Sequence, residues 1–114
     1  MVIVECLFCT IVNGDIPATI IKKTDSITAF KDITPQAPTH ILIIPNKHFE
    51  NMAELANNDV NLAGEIFKMA GEIAHELGLK SYRTNVNTGL EAGQSVFHAH
   101  LHLLGGRSFA WPPG

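Results

Sequence analysis

The chain is poor in cysteine, carries no surplus of positive charge and contains no long apolar run. Its two cysteines, Cys6 and Cys9, stand three apart, which is not the framework of a disulfide-stapled secreted domain. Eight Lys and Arg against eleven Asp and Glu give a net charge of −3. That argues against an electrostatic nucleic-acid binder, which needs a basic face to displace counterions. No stretch approaches the ~18 apolar residues of a membrane span. The opening Met1-Val-Ile-Val is too short for a signal peptide and lacks its basic start. Repeats, low-complexity tracts and linkers are missing as well. A cytoplasmic protein with neither nucleic-acid nor membrane partners is expected.

What is there fits one domain over residues 1–114, a common domain length. Such a chain buries somewhat under about 70% of its unfolded surface, enough for one core. Its 46% hydrophobic and 17% charged residues leave surplus apolar surface, which an oligomer interface would absorb.

Cys6 to Asn13 reads as a short helix, ended by Gly14 and kept from resuming by Pro17. The Cys-x-x-Cys on it has three readings: a redox pair lacking its βαβ context, two buried thiols packing as small hydrophobes, or half of a zinc site. Thr19–Lys23 and Ile27–Phe30, separated by Thr24-Asp25-Ser26, read as a hairpin. Asp32 follows, before a proline-broken loop, and alone would be a solvated turn acid or a local cap. His40–Pro45 is a strand apolar on both faces, hence central or covered. His48 lies in the next loop and by itself reads as a surface residue.

Asn57-Asn58-Asp59 offers caps for one long helix of about 18 residues. Ala63, Ile66, Phe67, Ala70, Ile73, Ala74 and Leu77 form its apolar stripe, with His75 beside it and Gly78 at its end. Ser81–Asn87 alternates as a strand with one polar face, and a loop with Gly89 and Gly93 leads on to Ser95. Glycines there let backbone N–H groups approach an anion; a plain hairpin loop is the preferred reading of this stretch alone, and a phosphate cradle the better one beside the three histidines that follow.

The densest signal is Gln94-Ser-Val-Phe-His98-Ala-His100-Leu-His102-Leu-Leu-Gly105-Gly106-Arg107. On a strand, His98, His100 and His102 share one face, roughly 6.6–7 Å apart, while Phe97, Ala99, Leu101 and Leu103 face the core. A lone strand histidine is usually a satisfied core residue. Three on one face each need partners, so a functional face is the better reading.

His98-Ala-His100-Leu-His102-Leu-Leu resembles the signature of the histidine-triad nucleotide hydrolases and transferases. Ala92-Gly-Gln-Ser-Val-Phe before it, Gly105-Gly106-Arg107 after it, the terminal Trp111-Pro-Pro-Gly and Asp32-Ile-Thr-Pro-Gln-Ala-Pro-Thr-His40 are similar to the Hint branch, the purine nucleoside phosphoramidases. The likeness runs from about Cys6 to the last residue. It implies an α+β fold, with an antiparallel sheet of about five strands, one long helix and one or two short ones. It also implies a homodimer whose tail, residues 108–114, crosses the interface.

The resemblance implies nucleotidyl transfer to water from a purine nucleoside phosphoramidate, releasing AMP or GMP. His100 would be the nucleophile, its other nitrogen held by the backbone carbonyl of His98. His102 and Ser95 would bind phosphate and protonate the departing amine, with His40 behind the triad. Asp32 would take both ribose hydroxyls and Ile33 line the base pocket, while Asn87, Gly93, Gln94 and Ser95 contact phosphate and leaving group. No catalytic metal is called for. A structural zinc on Cys6, Cys9, His48 and His98 follows from likeness to zinc-containing bacterial triad proteins. A dinucleoside polyphosphate hydrolase and a zinc-organised nucleotide-binding adaptor without turnover are the rival readings.

Overall fold

The computed structural model describes residues 6–114, so the opening residues read above for a signal peptide lie outside it. Elements run in the order α1 (Leu7–Val12), β1 (Ile20–Lys23), β2 (Ile27–Lys31), β3 (Thr39–Pro45), α2 (Met52–Asn58), α3 (Val60–Glu76), β4 (Tyr82–Asn85) and β5 (Leu101–Gly105). The five strands form one antiparallel sheet in the order β1-β2-β3-β5-β4. This is the α+β architecture expected, with one long helix and two short ones.

Strand alternation divides the core in two. Ile27, Ala29, Ile41, Ile43, Leu101 and Leu103 face α2 and α3 and form the large core with Leu55, Ile66 and Ile73. The intervening Phe30, Leu42 and Ile44 face the other way and meet Phe8 of α1. β3, at the centre of the sheet, is therefore apolar on both sides, as its sequence requires.

Local signals set the helix ends. Asn51 caps α2 by accepting from the Glu54 N–H (2.9 Å), and the Glu54 carboxylate accepts from the Glu50 N–H (2.6 Å). Asp59 caps α3 by accepting from Leu62 N–H at 3.0 Å. The same Asp59 closes α2, a helix too short for the sequence reading to have located.

The stripe of α3 is rotated from the one expected. Leu62 and Met69 are buried with Ile66, Ala70, Ile73 and Ala74, whereas Phe67 and Leu77 are about half exposed (51% and 50%). Both sets have helical spacing, and only the angle at which α3 meets the sheet chooses between them.

After β5 the chain must turn tightly. A Cβ on Gly105 would come within 2.8 Å of the Leu79 side chain. Gly106 has φ +90°, and a Cβ there would meet Pro38 at 2.8 Å. Gly106 is thus required by both its backbone angle and the Pro38 ring, while a side chain at Gly105 would have to displace Leu79.

Candidate active site

β5 begins only at Leu101, so His98 and His100 precede the strand rather than lying on it. The Ala99 N–H donates to the Phe49 carbonyl at 2.7 Å in place of a ladder bond. Alternation still turns Ala99, Leu101 and Leu103 into the large core, but it does not reach back to Phe97, which is 45% exposed. The rings also lean together, with the centroids of His100 and His102 4.9 Å apart, closer than strand spacing alone gives.

The buried His100 donates from Nδ1 to the His98 carbonyl oxygen at 2.7 Å. Its Nε2 therefore keeps the lone pair. Burial holds its pKa below the ordinary value, partly offset by that hydrogen bond and by Asp32. It is a neutral imidazole with one nitrogen anchored and one free.

A proton-ordered chain backs His102. The Gln36 backbone N–H donates to His40 Nδ1 at 3.0 Å, so a neutral His40 carries its proton on Nε2. That nitrogen lies 2.9 Å from His102 Nδ1 and donates to it, leaving the His102 proton on Nε2. His40 pairs with Leu104 across the β3–β5 ladder, so His102 is its diagonal same-face neighbour, within reach of a ring. Among the described residues, His102 Nε2 is the one buried side-chain nitrogen or oxygen without a partner. Burial, then the neighbouring His100 and His40, push the His102 pKa down to about 4, against an upward pull from Asp32. His40 is lowered by burial, with Asp32 opposing.

Asp32 follows β2, with one carboxylate oxygen 3.5 Å from His40 Nε2 and the other accepting from the Thr34 N–H at 2.8 Å. It opens onto a cavity of about 290 Å³ together with His100, His102, Ser95 and Ile33. The apolar walls, Leu7, Phe8, Ile11, Phe30, Leu42 and Val96, come from α1, the sheet and the loop before the triad. Sequence reading did not find these residues, because nothing local ties α1 to the triad. Ile33 stands at the rim, 94% exposed. A second, more open groove of about 870 Å³ shares Leu7, Ser95 and Val96 with the first and adds Glu50, Glu54, His48 and Phe97.

Several expected phosphate contacts are otherwise engaged. The Gly93 N–H donates to the Leu90 carbonyl (3.0 Å) and the Gln94 N–H to that of Gly89 (3.1 Å). The buried Gln94 side chain donates to the carbonyls of Glu50 and Val96 and accepts from the Gly89 N–H. Gln94 braces the loop from inside, and Gly93 supplies a turn at φ +98° rather than a free donor. Asn87 accepts from the Asn85 amide at 2.9 Å beside that turn. Ser95 is exposed between both cavities.

His98 belongs to a second constellation. Its buried ring donates from Nε2 to the Pro45 carbonyl (2.8 Å), which leaves Nδ1 as an acceptor. That atom lies 3.2 Å from Cys6 Sγ, 3.5 Å from Cys9 Sγ and 3.2 Å from His48 Nδ1, and Cys9 Sγ is 3.5 Å from His48 Nδ1. Neighbouring ligand atoms of a tetrahedral zinc stand roughly 3.3–3.8 Å apart, given bonds of about 2.3 Å to sulfur and about 2.0–2.1 Å to nitrogen. The set fits that ion. Burial, then the adjacent Cys6, push the Cys9 thiol up to about 11, the cost of a thiolate there without a cation.

The tail lies along its own chain. Arg83 and Arg107 both stack on Phe109, with centroid distances of 5.1 and 4.2 Å, and Arg83 donates to the Ala110 carbonyl. Trp111 is 83% exposed. Among the described residues, no helix is long and apolar enough to cross a membrane.

Residues 5–109 match the family model of the scavenger mRNA decapping enzyme C-terminal binding region. An uncharacterized HIT-like protein of Synechocystis is 44% identical over 111 residues, covering 96% of this chain and 97% of its own. A 14 kDa zinc-binding protein of Zea mays is 40% identical over 111 residues, 95% of this chain and 87% of that one. The crystal structure of a HIT family hydrolase from Legionella pneumophila is 47% identical and superposes with a TM-score of 0.92, over 96% of this chain and all of that one. With the histidine run, the sheet and these relatives in agreement, the chain belongs to the histidine-triad family.

Proposed function

We propose that the protein hydrolyses purine nucleoside 5′-phosphoramidates through a nucleotidyl-histidine intermediate. The observation that carries the reading is the anchored neutral His100, which lines one cavity with Asp32 and with His102, whose Nε2–H has no partner among the described residues. The ribose lies on Asp32, whose carboxylate accepts from vicinal hydroxyls, and the base lies among the apolar walls by Ile33. His100 Nε2 attacks the α-phosphorus and the P–N bond breaks, its electron pair going to the amine nitrogen. His102 Nε2–H and the Ser95 hydroxyl donate hydrogen bonds to the phosphate and the departing nitrogen, and the proton that the nitrogen takes up comes from solvent through the groove at Ser95. Water then attacks the same phosphorus, releasing His100 and the nucleoside monophosphate. Neutral imidazoles suit this role, because a protonated His100 could not attack.

The open groove beyond Ser95 supports an amine over a second nucleotide as leaving group. It is lined by Glu50 and Glu54 and, among the described residues, by no Lys or Arg. A departing polyphosphate would meet like charge there, and a cationic amine would not.

A structural zinc on Cys6, Cys9, His48 and His98 fits the proposal, since catalysis as drawn uses only the backbone of His98. Zinc would tie α1 and the His48 loop to the start of the triad. A homodimer accords with exposed Val60 and Phe67 on α3, exposed Tyr82 and the edge strand β4. Turnover of an adenosine phosphoramidate by purified protein tests the activity. Tight AMP binding with no turnover would favour the adaptor reading, and preference for diadenosine polyphosphates the other hydrolase.

A further inference from the structure

One residue joins the metal-binding set to the nucleophile. The His98 ring faces Cys6, Cys9 and His48, while its backbone carbonyl holds His100 Nδ1 at 2.7 Å. One helix joins them as well. Cys6 is the N-cap of α1 and Cys9 lies on it, and the same six residues carry Phe8. The Phe8 ring meets His98 and His100 edge-on, with centroids 5.9 and 5.2 Å away. Leu7, Phe8 and Ile11 wall the 290 Å³ cavity that opens onto Asp32 and His100. A helix of six residues is far too short to hold by its own hydrogen bonds. Within it only Phe8 is fully buried, with Ile11 and Val12 packed partly against the same cluster, so a metal on the two sulfurs would add a second anchor to a shallow seat.

We propose that metal occupancy at Cys6, Cys9, His48 and His98 sets the affinity of the nucleotide cavity. The loaded centre locks α1 as the cavity wall and steadies the His98 carbonyl under His100. The inference rests on the nucleotide reading given above. Because coupling between two binding sites is reciprocal, bound nucleotide must tighten the metal site by the same factor. Neither of the two readings alone, an enzyme site or a structural zinc, requires that symmetry.

The test is calorimetric titration of the full chain with AMP, zinc-loaded and chelator-stripped, together with zinc competition against a chromophoric chelator with and without saturating AMP. Removing zinc should weaken AMP binding at least about fivefold, and AMP should strengthen zinc binding by an equal factor. Amide exchange at residues 7–12 should slow on loading. His48→Gln removes one exposed ligand without touching the packing of α1. At low zinc it should bind AMP like the stripped protein, and at saturating zinc it should recover wild-type affinity. Equal AMP affinities for loaded and stripped protein, both folded by circular dichroism, overturn the coupling alone. Failure of the loaded protein to bind AMP overturns the coupling and the nucleotide reading together.

Discussion

The two histidine clusters draw on the same short run, and by distance alone both could hold a metal. Cys6, Cys9, His48 and His98 bring their ligand atoms within 4.8 Å of one another, and so do Asp32, His40 and His102. Protons separate them. At the first cluster the one ring N–H the structure assigns, His98 Nε2–H, points away to Pro45 and leaves its lone pair among sulfurs and nitrogen. At the second, the Gln36 N–H occupies His40 Nδ1, so His40 Nε2 carries hydrogen and has no lone pair to give. One cluster turns a lone pair inward among thiols and imidazole, and the other is a line of donors that ends at His102 Nε2. A count of histidines cannot tell these apart; the backbone groups behind them can.

The largest effect should fall on His100, the nucleophile of the proposed reaction. His100→Ala should reduce phosphoramidate hydrolysis to background while AMP affinity stays within about tenfold, ~1.4 kcal/mol. More than a few per cent of residual activity would assign the attack elsewhere.

Breaking the donor line behind His102 comes next. His40→Phe keeps a ring but removes the donor, and kcat should fall about 10–100-fold, as for other residues that orient a catalytic imidazole. The same line predicts the pH behaviour. With His100 lowered by burial, the acid limb of kcat/KM should lie below the usual histidine value of about 6.5. With the His102 pKa at about 4, the unfolded chain takes up a proton between pH ~6.5 and ~4 that the folded chain refuses. Stability should therefore fall through that window on acidification. His102→Asn should show a smaller loss between pH 7 and 5 in urea titrations, and identical losses would contradict the shift.

Asp32→Asn should erase most discrimination between ribo- and 2′-deoxyribonucleotides, an effect of roughly 1.5–3 kcal/mol for hydrogen bonds to a charged group. Equal affinities in the wild type would remove Asp32 from the ribose. At the other cluster, tag-free protein should carry about one zinc per chain. Cys6→Ser should lose it and melt roughly 5–10 °C lower, equivalent to about 1.5–2 kcal/mol. Under about 0.2 zinc per chain, with an unmoved melting point, would reduce the cysteines to packing. The smallest change is at the groove: Glu50→Gln with Glu54→Gln should weaken preference for cationic over neutral amines by ~0.2–1 kcal/mol, the scale of exposed charge pairs. No change in selectivity would detach that groove from the leaving group.

Sequence by itself determined the hairpin, the long helix and the approximate place of each strand, though not that β5 starts only at Leu101, because period, caps and breakers are local and act within a few residues. It also carried the pairing of Cys6 and Cys9, since three residues make one helical turn. Tertiary structure decided the rest. The rotation of α3 turns Leu62 and Met69 inward instead of Phe67 and Leu77, a choice between two equally periodic stripes. The seat of α1 makes Phe8 a wall of the cavity beside His100, a contact across about ninety residues of chain that no local pattern encodes. The turn at Gly89–Gln94 engages its own Gly89, Gly93 and Gln94 N–H groups, where glycines beside three histidines suggest an anion cradle. Most of all, the states of His40, His98 and His100 rest on backbone atoms of Gln36, Pro45 and His98, whose placement comes only with the folded sheet. Residue type puts a titratable ring in the chain, but the proton on it is assigned by the group that happens to face it.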